Sequence, residues 1–295
     1  MPMTKSVQWD RLIRYVSRKD GRIRYGEPIV SHDDDIDQLA ATNKLKVRAM
    51  EGASALSAAP TGDEDEVKEL LGPLTPDEVS VIRCIGLNYK THIAESGFAV
   101  PSYPTLFFKT GHAVADTRTG IPIPKIAQAA CDFEGELTVL IGADAKNVSE
   151  SDALDYVAGY LVGNDISCRD WQLEKEKAGD MQQWCFSKSF DKYAPLGPAI
   201  VSPHVLGEAF GLPLRTYVNG SAKQDSNTAD LVFGVRKLVS FLSTGQTLKA
   251  GSLIMTGTPG GVGVAMKPPQ FLADGDEVVV EIKGIGKVRN VMRFE

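Results

Sequence analysis

The stretch that most constrains this chain is Asp132-Phe-Glu-Gly-Glu-Leu-Thr-Val-Leu-Ile-Gly142, which sets two carboxylates into an otherwise apolar run. Strand residues two apart point to the same face, so Glu134 and Glu136 stand side by side on one wall. Burying either charge unpaired costs on the order of several kcal/mol, so a positive partner belongs between them. A divalent cation is the simplest one. A third carboxylate, Asp165, follows the next apolar run, Tyr156-Val-Ala-Gly-Tyr-Leu-Val-Gly163. Three oxygen ligands with open positions suit Mg²⁺ or Mn²⁺ better than zinc. The competing reading is a solvated edge strand whose acidic face meets lysines.

With 295 residues, 43% of them hydrophobic, the chain can bury a large core, as one large domain or as a small domain joined to a larger one. Its net charge of -6, from 32 basic and 38 acidic residues, offers no basic surplus for nucleic acid or an anionic membrane. No apolar run approaches the roughly 18 to 20 residues that span a bilayer, and Met1 to Asp10 lacks the apolar core of a secretory signal. A cytoplasmic protein is expected, with mitochondrial residence as the alternative although no transit peptide stands out. Cys84, Cys131, Cys168 and Cys185 contain no Cys-x-x-Cys pair and read as free thiols. Asn147-Val-Ser and Asn219-Gly-Ser match the glycosylation pattern by chance.

Leu12-Ile-Arg-Tyr-Val16 and Arg22-Ile-Arg-Tyr25 flank Lys19-Asp20-Gly21, which predicts a hairpin. The acidic run His32-Asp-Asp-Asp-Ile-Asp37 reads as a solvated loop, and Ile36 to Ala58 as helical or loosely ordered. Thr61-Gly-Asp-Glu-Asp-Glu66 and Leu71-Gly-Pro-Leu-Thr-Pro76 read as a polar link, putting a boundary near residue 78. Residues 1–78 are then a small N-terminal domain, and 79–295 the main one. There the apolar runs are short and β-rich: Val79–Cys84, Thr105–Phe108, Leu137–Ile141, Leu214–Val218, Ser252–Met255 and Glu277–Ile282. Gly/Pro turns separate them and few helices intervene, so the class expected is mainly β with α, an α+β fold rather than a doubly wound sheet.

Further constellations carry chemistry. In Gly86-Leu-Asn-Tyr-Lys-Thr-His-Ile-Ala-Glu-Ser-Gly97, His92 and Glu95 lie three apart on one helical face, where the carboxylate orients the imidazole as a general base. Glycines on both sides predict a mobile lid; a surface pair without a role is the alternative. Asp165, Arg169 and Gln172 fall at i, i+4 and i+7, sharing one side of a helix that begins near Ser167. Arg169 would take a substrate carboxylate, or else pair with Asp170 or Glu174. Lys188, among Trp184, Phe186 and Phe190, faces an anion or a developing enolate, or only snorkels. Lys109 after Thr105-Leu-Phe-Phe108 carries the same two readings. Met255-Thr-Gly-Thr-Pro-Gly-Gly-Val-Gly263 lacks the Lys-Ser/Thr of a P-loop, so Thr258 and nearby amides are expected to reach a small ligand. No Gly-x-Ser-x-Gly elbow is present, and no His motif marks a cysteine as nucleophile.

Taken together, Cys84-Ile-Gly-Leu-Asn-Tyr-x-x-His92, Asp132-Phe-Glu-Gly-Glu-Leu137, Gly163-Asn-Asp165-x-Ser-x-Arg169-Asp-Trp-Gln172, Lys188-x-Phe-Asp191 and Thr256-Gly-Thr-Pro-x-Gly-Val-Gly263 resemble the fumarylacetoacetate hydrolase family over about residues 80 to 292. Arg169-Asp-Trp-Gln172, Lys267-Pro-Pro-x-Phe-Leu272 and Gly275-Asp-Glu277 are most similar to its branch of domain-containing protein 2. The resemblance implies a mixed β-roll catalytic domain, a homodimer, and Mg²⁺ or Mn²⁺ on Glu134, Glu136 and Asp165. It further implies His92 with Glu95 as the lid dyad, and Arg169, Gln172, Lys188 and Thr258 as groups that bind or polarise substrate. Leu87 departs from a position that is often Arg in the family, which removes one anion contact. A small-molecule 2-oxo acid is the implied substrate, and oxaloacetate keto–enol tautomerisation or decarboxylation the favoured reaction. The alternatives are C–C hydrolysis of an acylpyruvate or fumarylacetoacetate-type β-diketo acid, a biosynthetic role on a larger β-dicarbonyl, and a catalytically idle binding protein.

Overall fold

The computed structural model describes residues 7–31 and 34–295. Four strands come first: β1 (Arg11–Ser17), β2 (Ile23–Pro28), β3 (Lys46–Glu51) and β4 (Ala59–Leu71), with helix α1 (Ile36–Ala41) between the second and third. β1 and β2 form the expected hairpin, with Gly21 at its tip in the left-handed region, φ 74°. The antiparallel pairings β1–β2, β2–β3, β3–β4 and β4–β1 close into a ring. Ile13, Tyr15, Leu45, Val47, Val67 and Leu70 make its core together with Ile36 and Ala40 of α1.

Two local expectations change here. The stretch after Ile36 contains a full strand, β3, and the polar segment expected to be a link is β4. β4 reads as loop because almost every side chain from Thr61 to Glu66 is exposed; its backbone is held by neighbours on both sides, and only Val67 and Leu70 are buried. In the acidic run, His32 and Asp33 lie outside the described residues. Asp35 caps α1 by accepting from the Gln38 amide at 3.1 Å, and the nearly buried Asp37 accepts from Arg118 Nε at 2.8 Å, so this end of the run is structural rather than solvated.

The chain then runs through β5 (Val81–Gly86), helix α2 (Lys90–Ser96), β6 (Thr105–Thr110), β7 (Val114–Asp116), β8 (Gly120–Ile123), β9 (Cys131–Asp132) and β10 (Gly135–Ile141). Next come β11 (Ala145–Lys146), β12 (Val157–Asn164), β13 (Ser167–Cys168) and three short helices, α3 (Arg169–Leu173), α4 (Lys175–Ala178) and α5 (Trp184–Lys188). The remainder is β14 (Ala194–Val201), α6 (Pro203–Leu206), β15 (Pro213–Val218), β16 (Ser221–Asn227), α7 (Val235–Leu242), β17 (Thr247–Leu248), β18 (Leu253–Met255), β19 (Glu277–Ile282) and β20 (Gly286–Phe294). All six apolar runs expected in the main part are strands, and the fold is a sheet-rich α+β arrangement.

The larger sheet runs β14-β12-β10-β18-β5-β6, and Arg11 and Leu12 of β1 pair with Val201 and Ile200 of β14, joining the ring to it. A second sheet, β16-β15-β19-β20-β8, lies across it. β10 is sandwiched. Leu137, Val139 and Ile141 pack in the core shared with Val278, Val280 and Val288 of the second sheet, while Leu140 packs with Ile82, Leu161 and Leu196 on the other side. The alternation in this stretch therefore separates two dry faces, and the solvated-edge reading of Glu134 and Glu136 does not apply.

Candidate active site

β10 and β12 pair with Gly135 opposite Asn164 and Glu136 opposite Gly163, so both acidic segments arrive at the same end of the sheet. The Asn164 side-chain carbonyl accepts from the Glu134 amide at 3.0 Å, and the Asp165 amide donates to the Glu134 carbonyl at 2.8 Å. Glu134, Glu136 and Asp165 are thereby brought together, with one oxygen from each within 4.8 Å of the others, and all three are buried.

Their charges are not balanced equally. Glu134 meets Arg169 Nη1 at 2.7 Å and Lys188 Nζ at 2.9 Å. Burial works against its ionisation, yet Lys188 and Arg169 outweigh that and hold its carboxyl below the usual range. Asp165 contacts Lys188 Nζ at 3.0 Å and Lys109 Nζ at 2.6 Å. Glu136 accepts only from the Gly257 amide, at 2.7 Å, and has no cationic partner among the described residues. Burial, reinforced by Asp165 and Glu134, pushes its carboxyl well above the ordinary value. A site that buries three carboxylates and leaves one without a counter-charge fits a divalent cation.

The cations are placed by short helices. The segment after Asp165 forms β13, which pairs with β9, so the helix starts at Arg169 and Asp165 is not on it. Convergence comes from strand pairing instead of the i, i+4, i+7 helical face. Arg169 donates from Nε to Asp132 at 2.8 Å and from Nη1 to the Gln172 carbonyl oxygen at 2.9 Å, while Asp170 goes to Lys177. Its Nη2 has no protein partner among the described residues. Because Gln172 spends its oxygen on Arg169, its amide nitrogen is left to donate.

Lys188 ends α5, with its ammonium 5.2 Å from the centre of the Phe107 ring. Lys109 lies behind the acidic cluster. Its ammonium donates to the Tyr193 carbonyl at 2.7 Å, to the Ile166 carbonyl at 3.2 Å and to the Lys188 carbonyl, so it supports Asp165 and does not line the cleft. Thr258 lines the cleft, but its hydroxyl donates to the Gly135 carbonyl at 3.1 Å and accepts from Gln224 Nε2 at 2.7 Å. What it can offer a ligand is a lone pair rather than a proton.

α2 stands over this cluster. His92 Nδ1 lies 2.7 Å from Glu95 Oε1, the pairing expected from their spacing. Gly97 ends the helix in the left-handed region, φ 72°, as a C-terminal glycine does. Gly86 is no hinge. It is flush against Trp184, whose ring would lie 1.9 Å from an added Cβ, while the turn falls on Leu87, φ 54°. Gly86→Ala is expected to lower stability by about 1–3 kcal/mol, measured by denaturant melts, because the ring must shift.

Leu87, His92, Phe98, Leu173, Trp184 and Val264 join Glu134, Arg169, Gln172, Lys188 and Thr258 around a cleft of about 330 Å³. Several residues that organise it carried no assigned role in the sequence. Asp132 accepts from Arg169 and from the Gly263 and Val264 amides at 2.8 and 3.0 Å, tying the glycine-rich loop to the guanidinium. Asn88, fully buried, donates to the Phe233 and Thr256 carbonyls and accepts from the Phe233 amide, anchoring the base of α2. The partners of Gln224 and Asn88 are far off in sequence, where no local pattern points to them. Asp132 at least lay in a motif already singled out.

With this geometry in view, comparison with known proteins is direct. Residues 81–293 match the family model of the fumarylacetoacetate (FAA) hydrolase C-terminal region. Caffeoylpyruvate hydrolase of Neonothopanus nambi is 39% identical over 98% of this chain and 95% of its own. Oxaloacetate tautomerase fahd2, mitochondrial, of Xenopus laevis is 37% identical over 95% of this chain and 89% of its own. The crystal structure of 2-hydroxyhepta-2,4-diene-1,7-dioate isomerase from Mycobacterium marinum is 31% identical, with a TM-score of 0.76 over 97% of this chain and 98% of that one. Fold and relatives define the class, an enzyme on a scaffold shared by hydrolases, tautomerases and isomerases. Within that class, the chain belongs to the fumarylacetoacetate hydrolase family.

Proposed function

We propose that the cleft takes an enolisable 2-oxo carboxylic acid in the presence of Mg²⁺ or Mn²⁺, held by Glu134, Glu136 and Asp165, and hydrolyses the C–C bond of an acylpyruvate with an apolar tail. One observation carries the choice of tail. The lysine and arginine lining the cleft, Lys188 and Arg169, both sit at its acidic end, and away from them the lining is mainly apolar, with Leu87, Phe98, Leu173 and Trp184 beside the uncharged Ser96 and Gln182. A second substrate carboxylate would lack a lysine or arginine partner there, whereas an acyl or aryl tail would bury apolar surface. The 39% identity to a caffeoylpyruvate hydrolase points the same way.

When bound, the ion supplies Lewis-acid polarisation of the 2-oxo group. The free Nη2 of Arg169 and the amide nitrogen of Gln172 present donors to the substrate carboxylate. Lys188 faces the oxygen on which enolate charge develops. His92, oriented through Nδ1 by Glu95, leaves Nε2 to take a proton from the water that attacks the acyl carbonyl; the C–C bond then breaks, the acyl group departs as a carboxylic acid carrying the water's oxygen, and the pyruvate enolate takes the proton back from His92.

Oxaloacetate tautomerisation is the second reading. The 37% identity to a tautomerase favours it, as does the bonding of α2 onto the glycine-rich loop, since moving a proton between carbon and oxygen needs no water. Homodimerisation, and cytoplasmic or mitochondrial residence, are carried as part of the proposal.

The test is loss of enol absorbance for an apolar acylpyruvate and for oxaloacetate, with Mg²⁺ or Mn²⁺ and with EDTA. Equal decay in both conditions for both substrates sinks the proposal. Leu87→Arg is expected to raise the oxaloacetate-to-acylpyruvate ratio of kcat/KM about tenfold, since it adds a cation to the apolar wall. An unchanged ratio removes Leu87 from the account of specificity.

A further inference from the structure

α2 is fastened from outside the cleft. Asp230 Oδ2 accepts from the Thr91 amide at 3.0 Å and from the Thr91 hydroxyl at 2.7 Å. Tyr89, which precedes the helix, offers no side-chain cap, so Asp230 satisfies an amide of the first turn from elsewhere in the chain. The same Thr91 hydroxyl accepts from the Gly260 amide at 3.1 Å, and one turn on, Glu95 Oε2 accepts from the Gly261 amide at 2.8 Å. Glu95 therefore holds the imidazole with one oxygen and the glycine-rich loop with the other.

Asp230 itself is well supported. It ends a short turn, Thr228–Asp230, in which Asn227 accepts from the Ala229 amide at 2.8 Å, and the next residues are tied to the base of α2 through the Val232 amide and Asn88 carbonyl, at 2.8 Å. Both ends of the contact are thus anchored to the body of the protein. Gly261, at φ 102°, lies so close to the Lys223 carbonyl that an added Cβ would be 2.1 Å from the oxygen, which fixes where its amide points.

We infer that Asp230 is a positioning residue for the His92–Glu95 pair: by fastening Thr91 it keeps α2 bonded to the glycine-rich loop, and the imidazole is held over the acidic cluster only while that contact is made. The inference rests on the functional reading for its kinetic consequence and on geometry alone for its structural one. Asp230 reaches neither substrate nor reacting atoms; it acts through the helix.

Both bonds go to one oxygen, so an asparagine carbonyl can accept both, whereas alanine accepts neither. Asp230→Ala is expected to lower kcat about tenfold with KM within about twofold, while Asp230→Asn restores most of the rate. Hydrogen exchange, read without substrate, is expected to speed up about fivefold or more at the amides of Ile93 to Gly97 and of Gly261 in Asp230→Ala, and to stay at the wild-type level in Asp230→Asn. Mg²⁺ or Mn²⁺ affinity by calorimetry is expected to be unchanged. If Asp230→Ala does not fold, Thr91→Val removes the hydroxyl's bonds to Asp230 and to the Gly260 amide together and is expected to speed the same exchange.

Wild-type exchange in α2 of Asp230→Ala or Thr91→Val overturns the inference. So does an Asp230→Asn variant as impaired as Asp230→Ala, which would assign the effect to charge. Should the wild-type enzyme turn over neither 2-oxo acid, the functional proposal fails while the exchange comparison still decides the fastening.

Discussion

Glu136→Gln is expected to abolish the rise in melting temperature that Mg²⁺ or Mn²⁺ gives the wild-type protein and to lower turnover at least about a hundredfold, while making the metal-free protein more stable. The opposite signs follow from one cause. Glu134 and Asp165 have lysine and arginine partners, but Glu136 has only the Gly257 amide against two neighbouring carboxylates. Neutralising it removes repulsion from a buried cluster, a gain on the order of 1–3 kcal/mol without metal, and removes a charge the cation requires. Thermal melts in EDTA and in excess metal measure both effects. A variant that still gains stability from metal, or loses it in EDTA, would show that the site is balanced differently.

His92→Ala is expected to cut kcat by about 10² to 10⁴ while metal affinity stays within about twofold of wild type. The imidazole is near the acidic cluster without being bonded to it, and its partner is Glu95. Removing it leaves Glu134, Glu136 and Asp165, with Arg169, Lys188 and Lys109 around them, as they are. Steady-state rates with an acylpyruvate and with oxaloacetate, beside metal titration, check this. Unchanged turnover with both substrates would show that His92 takes no part in the reaction.

What could be read from the letters was what short range determines. The first hairpin, the six apolar strands of the main part and the His92/Glu95 pairing depend on periods of two or of three to four residues, which survive in any tertiary setting. Asp165 could be joined to Glu134 and Glu136 because one strand and a turn separate them, a distance the antiparallel pairing of β10 and β12 closes. β4 was hidden for the opposite reason: Asp63, Glu64, Asp65 and Glu66 make a strand without an apolar face, stabilised by backbone pairing to neighbours the sequence does not announce. Lys109 and Lys188 looked alike as lysines beside aromatics. Only the packing sends one behind Asp165 and leaves the other lining the cleft. Gly86 resembled a hinge because a glycine carries no sign of what rests on it, here the Trp184 ring.

For anyone wishing to tag or immobilise this protein, the joint between the ring and the larger sheet is the wrong place to cut. There Arg11 and Leu12 are stitched to Val201 and Ile200, and Trp9, Leu12 and Met50 share a core with Leu140 and Leu161. Scission at that seam would bare the flank of β14 to other chains. The hairpin tip at Gly21 and the bend at Gly62 are better sites for grafting a label, because each faces open space, with nothing within 4 Å of where a side chain would start.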